Sequence, residues 1–164
     1  MGSSAEQTLT ELYSTHGPGA LKLAYLMTGD GDAADEIVQE AFVRIFARLR
    51  NRRRPESLAA YLRRTVINLS HDRHRRLRTS RSYSSALRPT ALIESGGEID
   101  ARLDMRSRLQ VLPHRQRAAL VLRFYEDLSE QDAAEILQCS APALRQLVRR
   151  GVRTLRLQQQ EVES

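Results

Sequence analysis

Apolar positions recur with a helical period in several separate stretches of the chain. The strongest stripe lies between Asp32 and Leu49, where apolar side chains return every three to four residues, as in an amphipathic helix. Its first turn is acidic and its last turn is rich in arginine, which suits the helix dipole. A second stripe follows Ser57, a residue type favoured at helix N-caps. No stretch alternates apolar and polar residues as a half-buried strand would, so the pattern predicts an all-α protein.

Other segments fill in this organisation. A short helix is expected around Leu9 to Tyr13, and the Gly17-Pro18-Gly19 sequence is expected to separate it from a helix over Ala20 to Thr28. Residues 79–98 hold five serines, a proline and a Gly-Gly pair without any sustained period, which is typical of a flexible linker. Further helices are predicted near 100–111, 114–125, 129–137 and 141–157.

The last two predicted helices have the spacing of a helix-turn-helix. The turn is Gln138-Cys139-Ser140, and the helix after it combines an apolar stripe with many arginines. Such a helix suits contact with phosphates and major-groove edges, although any helical hairpin with a basic face gives the same pattern.

The charge distribution points to an anionic partner. The 26 basic residues exceed the 20 acidic ones, for a net charge of +6, and all but Lys22 are arginines. They cluster: residues 51–88 carry a charge of +9 and 140–164 carry +3, whereas 1–50 and 89–139 each carry −3. Two basic blocks with acidic surface between them predict two nucleic-acid contacts and at least one other partner.

Several function classes are disfavoured. No apolar run approaches the ~20 residues needed to span a membrane, and no secretory leader opens the chain. The single cysteine, Cys139, has no internal partner, so we expect a cytoplasmic protein. Asp30, Asp32 and Asp35 resemble part of a calcium loop, but its later ligands are missing. We expect no catalytic residues, metal or cofactor, and no enzyme activity.

Three motifs carry a family resemblance. DEIVQEAF at 35–42 closely resembles the core-binding helix of bacterial sigma factors, and LPHRQR at 112–117 and RFYEDLS at 123–129 resemble the opening of their promoter-recognition domain. Their order and spacing fit the small two-domain extracytoplasmic-function (ECF) group, and residues 24–30 are similar to its actinobacterial SigE-like branch.

The resemblance implies a domain organisation and a function. It implies sigma region 2 over 5–78, a linker over 79–98, sigma region 4 over 99–158 and a tail over 159–164. The implied function is to bind core RNA polymerase, to direct it to promoters through minus-ten and minus-thirty-five elements, and to promote DNA opening. The implied partners are the polymerase beta-prime coiled coil and beta flap, promoter DNA and an anti-sigma factor.

The resemblance also implies roles for individual residues. Those on the polymerase-binding surface are Asp35, Gln39, Glu40 and Arg44. Those at the minus-ten element are Arg52, Arg53, Arg54, Tyr61, Arg63, Arg64 and Asn68. Those at upstream duplex phosphates are Arg73, Arg75, Arg76 and Arg78. Those at the minus-thirty-five element are Arg145, Gln146, Arg149 and Arg150.

The chain departs from the family pattern at two places. It has no tryptophan, which many relatives carry in the minus-ten helix, so Tyr61 is the aromatic candidate there, with a core role as the alternative. It has Pro142-Ala143-Leu144 where relatives usually have Gly-Thr-Val. Two other functions remain open: a stand-alone helix-turn-helix regulator, and a sigma-like decoy that captures a regulator.

Overall fold

The computed structural model describes residues 2–79 and 105–163. These residues form helices and their connections, with no strand among them, which confirms the all-α prediction. The chain divides into two compact units, residues 1–88 and 89–164. The predicted linker lies outside the described residues apart from Thr79, which ends a helix.

Over residues 2–79 the first unit is built from three helices that all pack on one another. They are α1 (Gly2–Thr28), α2 (Gly31–Arg50) and α3 (Leu58–Thr79). The apolar stripe predicted for α2 faces the core, where Ile37, Ala41 and Ile45 are buried. On α3 the buried stripe includes Leu62 and Val66.

The predicted break at Gly17-Pro18-Gly19 is wrong, because α1 runs through it. A proline inside a helix removes one backbone donor and costs about 3 kcal/mol relative to alanine. Buried side chains on both sides of it, such as Leu12 and Leu23, hold the helix against α2 and α3. Because burial of each large apolar side chain contributes roughly 1.5–3 kcal/mol, packing outweighs the local cost.

Side-chain caps fix where the next two helices begin. The Asp30 carboxylate accepts hydrogen bonds from the backbone N–H groups of Asp32 and Ala33, at 3.0 and 3.3 Å, and so caps α2. The Ser57 hydroxyl accepts from the Ala60 N–H at 3.1 Å, which confirms the cap predicted for α3. Both acceptors satisfy donors that a helix start otherwise leaves without partners.

Between residues 105 and 163 the second unit forms four helices. They are α4 (residues 105–110), α5 (His114–Leu120), α6 (Glu130–Ile136) and α7 (Ala141–Glu163). Helix α5 continues as a π-helical turn over Val121–Tyr125. The last helix extends beyond its predicted end at 157. Helices α5 and α6 both pack on α7.

The predicted helix-turn-helix is formed by α6, the turn at 138–140 and α7. Ser129 caps α6 by accepting from the Asp132 N–H at 3.1 Å, and Ser140 caps α7 by accepting from the Ala143 N–H at 3.2 Å. Gln138 closes α6 at φ 55°, a left-handed conformation that is usually taken by glycine. The turn thus fixes the direction in which α7 leaves α6.

Two contacts hold the centre of the second unit together. Arg117, on α5, is 1% exposed, and its guanidinium hydrogen-bonds backbone carbonyls at and just beyond the end of α4. Where α5 crosses α7, a Cβ placed on Gly151 would lie 2.9 Å from Leu120 Cδ1. The two helices approach this closely because residue 151 has no side chain.

Candidate nucleic-acid and partner interfaces

The exposed face of α2 carries the four residues predicted to bind polymerase. Asp35, Gln39, Glu40 and Arg44 are all exposed. Glu40 and Arg44, one helical turn apart, form an ion pair with 3.1 Å between Oε1 and Nε. Both side chains are about half exposed, at 51%, so the pair stabilises the fold only weakly.

Sequence reasoning missed Val43 on this face. Its side chain is 63% exposed, and it lies three residues after Glu40 and four after Gln39, so helical spacing places all three side by side. The only sequence signal is that Val43 falls outside the apolar stripe of α2 while being apolar itself. The face therefore offers a small apolar contact among charged and polar groups.

The basic loop between α2 and α3 is fastened to the end of α2. Arg52, Arg53 and Arg54 are all exposed, and Arg52 has a left-handed backbone with φ 57°. The Arg53 carbonyl accepts a hydrogen bond from Arg48 Nε at 3.3 Å, and the Arg53 N–H donates to the Arg48 carbonyl at 3.0 Å. The loop thus presents its three cationic side chains from a fixed backbone.

The same Arg48 covers the aromatic candidate of α3. Its guanidinium carbon lies 4.8 Å from the centroid of the Tyr61 ring, a cation–π contact between α2 and α3. Tyr61 is half-buried. Arg48 therefore holds one face of the ring in place. The sequence did not reveal this role, because the contact joins two separate helices.

Helical spacing divides the other α3 candidates between two sides of the helix. Tyr61, Arg64 and Asn68 lie at positions i, i+3 and i+7 and share a face, and Asn68 is exposed. Arg75 follows on the same face two turns later. Arg63 lies on the opposite side. Tyr61, Arg64 and Asn68 thus lie within two turns of one another, and Arg75 lies about 10 Å beyond Asn68 along the same face.

Arg73 differs from the other arginines near the end of α3. Its Nη2 lies 3.3 Å from Oδ2 of Asp30, the capping residue of α2. Both side chains are only about a quarter to a third exposed, so Arg73 joins α3 to the start of α2. Arg75, Arg76 and Arg78 are exposed.

In the second unit, the first three turns of α7 present the residues predicted to read DNA. Arg145, Gln146, Arg149 and Arg150 are all exposed, whereas the neighbouring Leu144 is completely buried. The buried Leu144 therefore anchors this part of α7, and the four polar and cationic side chains face solvent. Farther along the helix, Arg149 and Arg153 border a shallow groove of about 470 Å³ that also includes Val148 and Val152.

Arg145 also contacts the first helix of the motif. Its Nη1 lies 2.9 Å from Oε2 of Glu130, the first residue of α6. The two side chains are 46% and 39% exposed. Sequence reasoning named Arg145 but missed Glu130, because fifteen residues and a turn separate them.

Two features are absent from the described ranges. Within residues 2–79 and 105–163, no three His, Cys, Asp or Glu side chains come together as a candidate metal site. Over those same ranges, no helix has the length and apolar character needed to cross a membrane.

Comparison with known proteins identifies the two units. Residues 12–80 match the family model for sigma-70 region 2, and residues 102–155 match that for sigma-70 region 4. The chain is 31% identical over 153 residues to the ECF RNA polymerase sigma factor SigE of Mycolicibacterium smegmatis. This chain belongs to the ECF family of RNA polymerase sigma factors. The resemblance inferred from the three sequence motifs is thereby confirmed.

A second relative gives the same picture as SigE. The alignment with SigE covers 89% of this chain and 59% of that protein. The RNA polymerase sigma-E factor of Streptomyces avermitilis is 29% identical, with coverage of 94% of this chain and 84% of that protein. Both relatives are actinobacterial.

Solved structures match the fold at lower sequence identity. The sigma factor RpoE, solved in complex with the anti-sigma factor NepR from Bartonella quintana, superposes with a TM-score of 0.74 at 21% identity, over 91% of this chain and 94% of the other. CnrH, solved with the cytosolic domain of CnrY, gives 0.71 at 20% identity, over 98% and 95%. These likenesses support the fold.

Proposed function

We propose that this chain is an ECF sigma factor that binds core RNA polymerase, directs it to promoters through minus-thirty-five and minus-ten elements, and promotes DNA opening. The observation that carries the proposal is that each unit matches one sigma region, and that most of that region's predicted contact residues are exposed. The protein itself supplies no catalysis in this proposal, since the polymerase makes the RNA.

The acidic face of α2 is the proposed docking surface for the polymerase beta-prime coiled coil. Asp35, Gln39 and Glu40 supply acceptors, and Val43 adds apolar contact area at the centre of the face. Formation of the complex would compete with the Glu40–Arg44 pair, which is exposed and therefore costs little to open. The second unit is proposed to contact the beta flap.

The surface around α3 is the proposed minus-ten site. Extruding a base from duplex DNA costs a few kcal/mol, so a protein that opens DNA needs a cationic path, a stacking surface and a polar pocket. The loop arginines provide the path, and Tyr61 and Asn68 lie on one face of α3. Because Arg48 already occupies one side of the Tyr61 ring, a base would stack on the ring's other side or on its edge.

The first turns of α7 are the proposed reader of the minus-thirty-five element. Arginine can bind guanine O6 and N7 with two hydrogen bonds, and glutamine can bind adenine in the same bidentate way. Arg145, Gln146, Arg149 and Arg150 offer both chemistries on one exposed surface. Relatives usually have a threonine where this chain has Ala143. A hydroxyl is present nearby at Ser140, where it caps α7 by accepting a hydrogen bond from the Ala143 N–H.

An anti-sigma factor is a further proposed partner. Both structural neighbours described above were solved as sigma factors bound to a regulator, NepR for RpoE and the cytosolic domain of CnrY for CnrH. The fold of this chain is therefore compatible with similar capture.

Run-off transcription tests the proposal as a whole. Fragmented genomic DNA of the source organism is transcribed by core polymerase with or without the protein, and the transcripts are sequenced. Discrete new start sites preceded by two spaced motifs are expected. A folded protein that gives no new start sites with active core polymerase would contradict the proposal. In that case a palindromic site bound without polymerase would favour a stand-alone regulator.

Substitutions assign the individual surfaces. Asn68→Ala should impair opening or alter minus-ten preference while polymerase binding stays intact, and loss of polymerase binding would contradict the assignment. Asn51→Ala makes the same change at an exposed residue off this face and is the matched control.

Charge reversal at both Arg145 and Arg149 should abolish recognition of the upstream element, and an unchanged promoter profile would refute that role.

A further inference from the structure

An ion pair joins the two helices of the helix-turn-helix. It links Arg145, which is proposed to read a base, to Glu130 on α6, which lies outside the surface of α7 proposed to contact DNA. Arg145 Nη1 and Glu130 Oε2 are 2.9 Å apart, and each side chain remains well over a third exposed. The guanidinium is thus oriented by a carboxylate while part of it stays open to solvent. Arg145 has five N–H donors, so one nitrogen can bind Glu130 while others remain available to a base.

Helix α6 holds that carboxylate at a defined place. The Ser129 cap fixes its start, and Arg123 donates to the Leu128 carbonyl directly before the cap. At the other end, Arg115 Nη2 donates to the Leu137 carbonyl at 3.1 Å. Because the main chain is hydrogen-bonded at both ends of this short helix, the backbone that carries Glu130 is held in place, and its carboxylate is oriented by the pair with Arg145.

We propose that Glu130 is a positioning residue that sets the base preference of Arg145 at the upstream promoter element. The proposal rests on the DNA-reading function assigned to α7. Bidentate binding of guanine requires the guanidinium plane to lie in the plane of the base. The carboxylate restricts that plane before DNA arrives, which reduces the ordering cost of the correct contact.

The same carboxylate acts against incorrect contacts. A phosphate approaching Arg145 from the side of α6 meets the negative charge of Glu130, and two like charges at close range repel. Non-specific backbone binding is therefore weakened more than base binding from the groove. Selective interfaces in general combine a favourable orientation for the correct contact with repulsion of the incorrect one.

The test uses the full chain with core polymerase and a duplex DNA pool randomised across the upstream element. Bound DNA is sequenced for the wild type, Glu130→Gln, Arg145→Gln and the double variant. The base position read by Arg145 is the one whose preference is lost in Arg145→Gln. Asp132→Asn is the matched control, because it removes the same charge from an exposed residue of the same helix.

Glu130→Gln is expected to reduce the preference at that base position by about two- to fivefold, the range that an exposed ion pair supplies. Binding to random-sequence duplex should rise, with a steeper salt dependence than in Asp132→Asn, because Arg145 gains access to a phosphate. Neither effect of Glu130→Gln should appear in the Arg145→Gln background. Thermal unfolding of Glu130→Gln and Asp132→Asn should coincide, which would separate positioning from stability.

The outcomes separate this inference from the function on which it rests. A wild type that enriches no sequence would overturn both the proposed function and the inference. A wild type that enriches a motif, with Glu130→Gln no different from Asp132→Asn, would overturn the inference alone. Persistence of the Glu130→Gln effect without Arg145 would likewise overturn it, because the acid would then act through another group.

Discussion

Replacing Arg117 with methionine should destabilise the second unit by about 3 kcal/mol. The buried guanidinium donates from Nε to the Leu109 carbonyl at 2.9 Å, and from Nη2 to the carbonyls of Gln110 and Leu112 at 3.1 and 2.9 Å. The last carbonyls of a helix have no partner within it. Arg117 therefore completes the end of α4 from inside the core.

Two opposing quantities set the size of the expected loss. A hydrogen bond from a charged donor contributes roughly 1.5–3 kcal/mol, so the three together contribute about 6 kcal/mol. Burial works against them: desolvation lowers the pKa of Arg117 well below its usual value, to about 10, a penalty of roughly 3 kcal/mol on the charged form. Methionine avoids that penalty and fills much of the space but removes the donor that Arg117 supplies to each of the three carbonyls. The Leu109 carbonyl still accepts from the Leu112 N–H at 3.1 Å.

Hydrogen exchange followed by mass spectrometry on the full chain measures this loss region by region. Amides of α5 should lose protection in Arg117→Met, whereas amides of α2, in the other unit, should be unchanged. Arg115→Met is the control, since this exposed arginine makes one hydrogen bond, to Leu137, and its loss should cost about 1 kcal/mol or less. Unchanged protection of α5 would refute the reasoning, and an equal loss in α2 would show that the two units do not unfold independently.

Two further substitutions probe contacts within each unit. Gly151→Ala should destabilise the second unit by about 1 kcal/mol in urea unfolding, because overpacking against Leu120 exceeds the gain in helix propensity. Gly19→Ala, with open space around its Cβ, should instead be stabilising, and the same sign at both glycines would contradict the packing argument. Asp30→Ala should cost the first unit about 1–2 kcal/mol by removing the α2 cap and the partner of Arg73. Asp30→Asn retains the cap and should cost less, so equal losses in the two variants would assign the effect to the ion pair.

Features that depend on neighbouring residues in the sequence were predictable. The stripe of α2 and the Ser57 cap follow from local spacing and residue type, and the structure confirms both. The break at Gly17-Pro18-Gly19 was not predictable in this way, because the local cost of Pro18 is outweighed by burial against two other helices. A sequence pattern shows the local free-energy cost of a proline in a helix, but not the stabilisation that the helix gains by packing against other helices.

The same distinction applies to the candidate sites. Which arginines are exposed could be anticipated from helical periodicity, as for Arg149 and Arg150. Which of them are held by another residue could not, because the pairs Asp30–Arg73 and Glu130–Arg145 each join separate helices. These pairs form only after the helices pack, so no local spacing signals them.

Promoter opening tests the central claim most directly. Once transcription has located a start site, the reactivity of thymines around it toward permanganate reports unpaired DNA. With core polymerase and this protein together, thymines between the minus-ten element and the start site should become reactive, and Asn68→Ala should reduce that reactivity. Duplex DNA that stays closed with both proteins bound would contradict the account, as would opening by core polymerase alone at the same site.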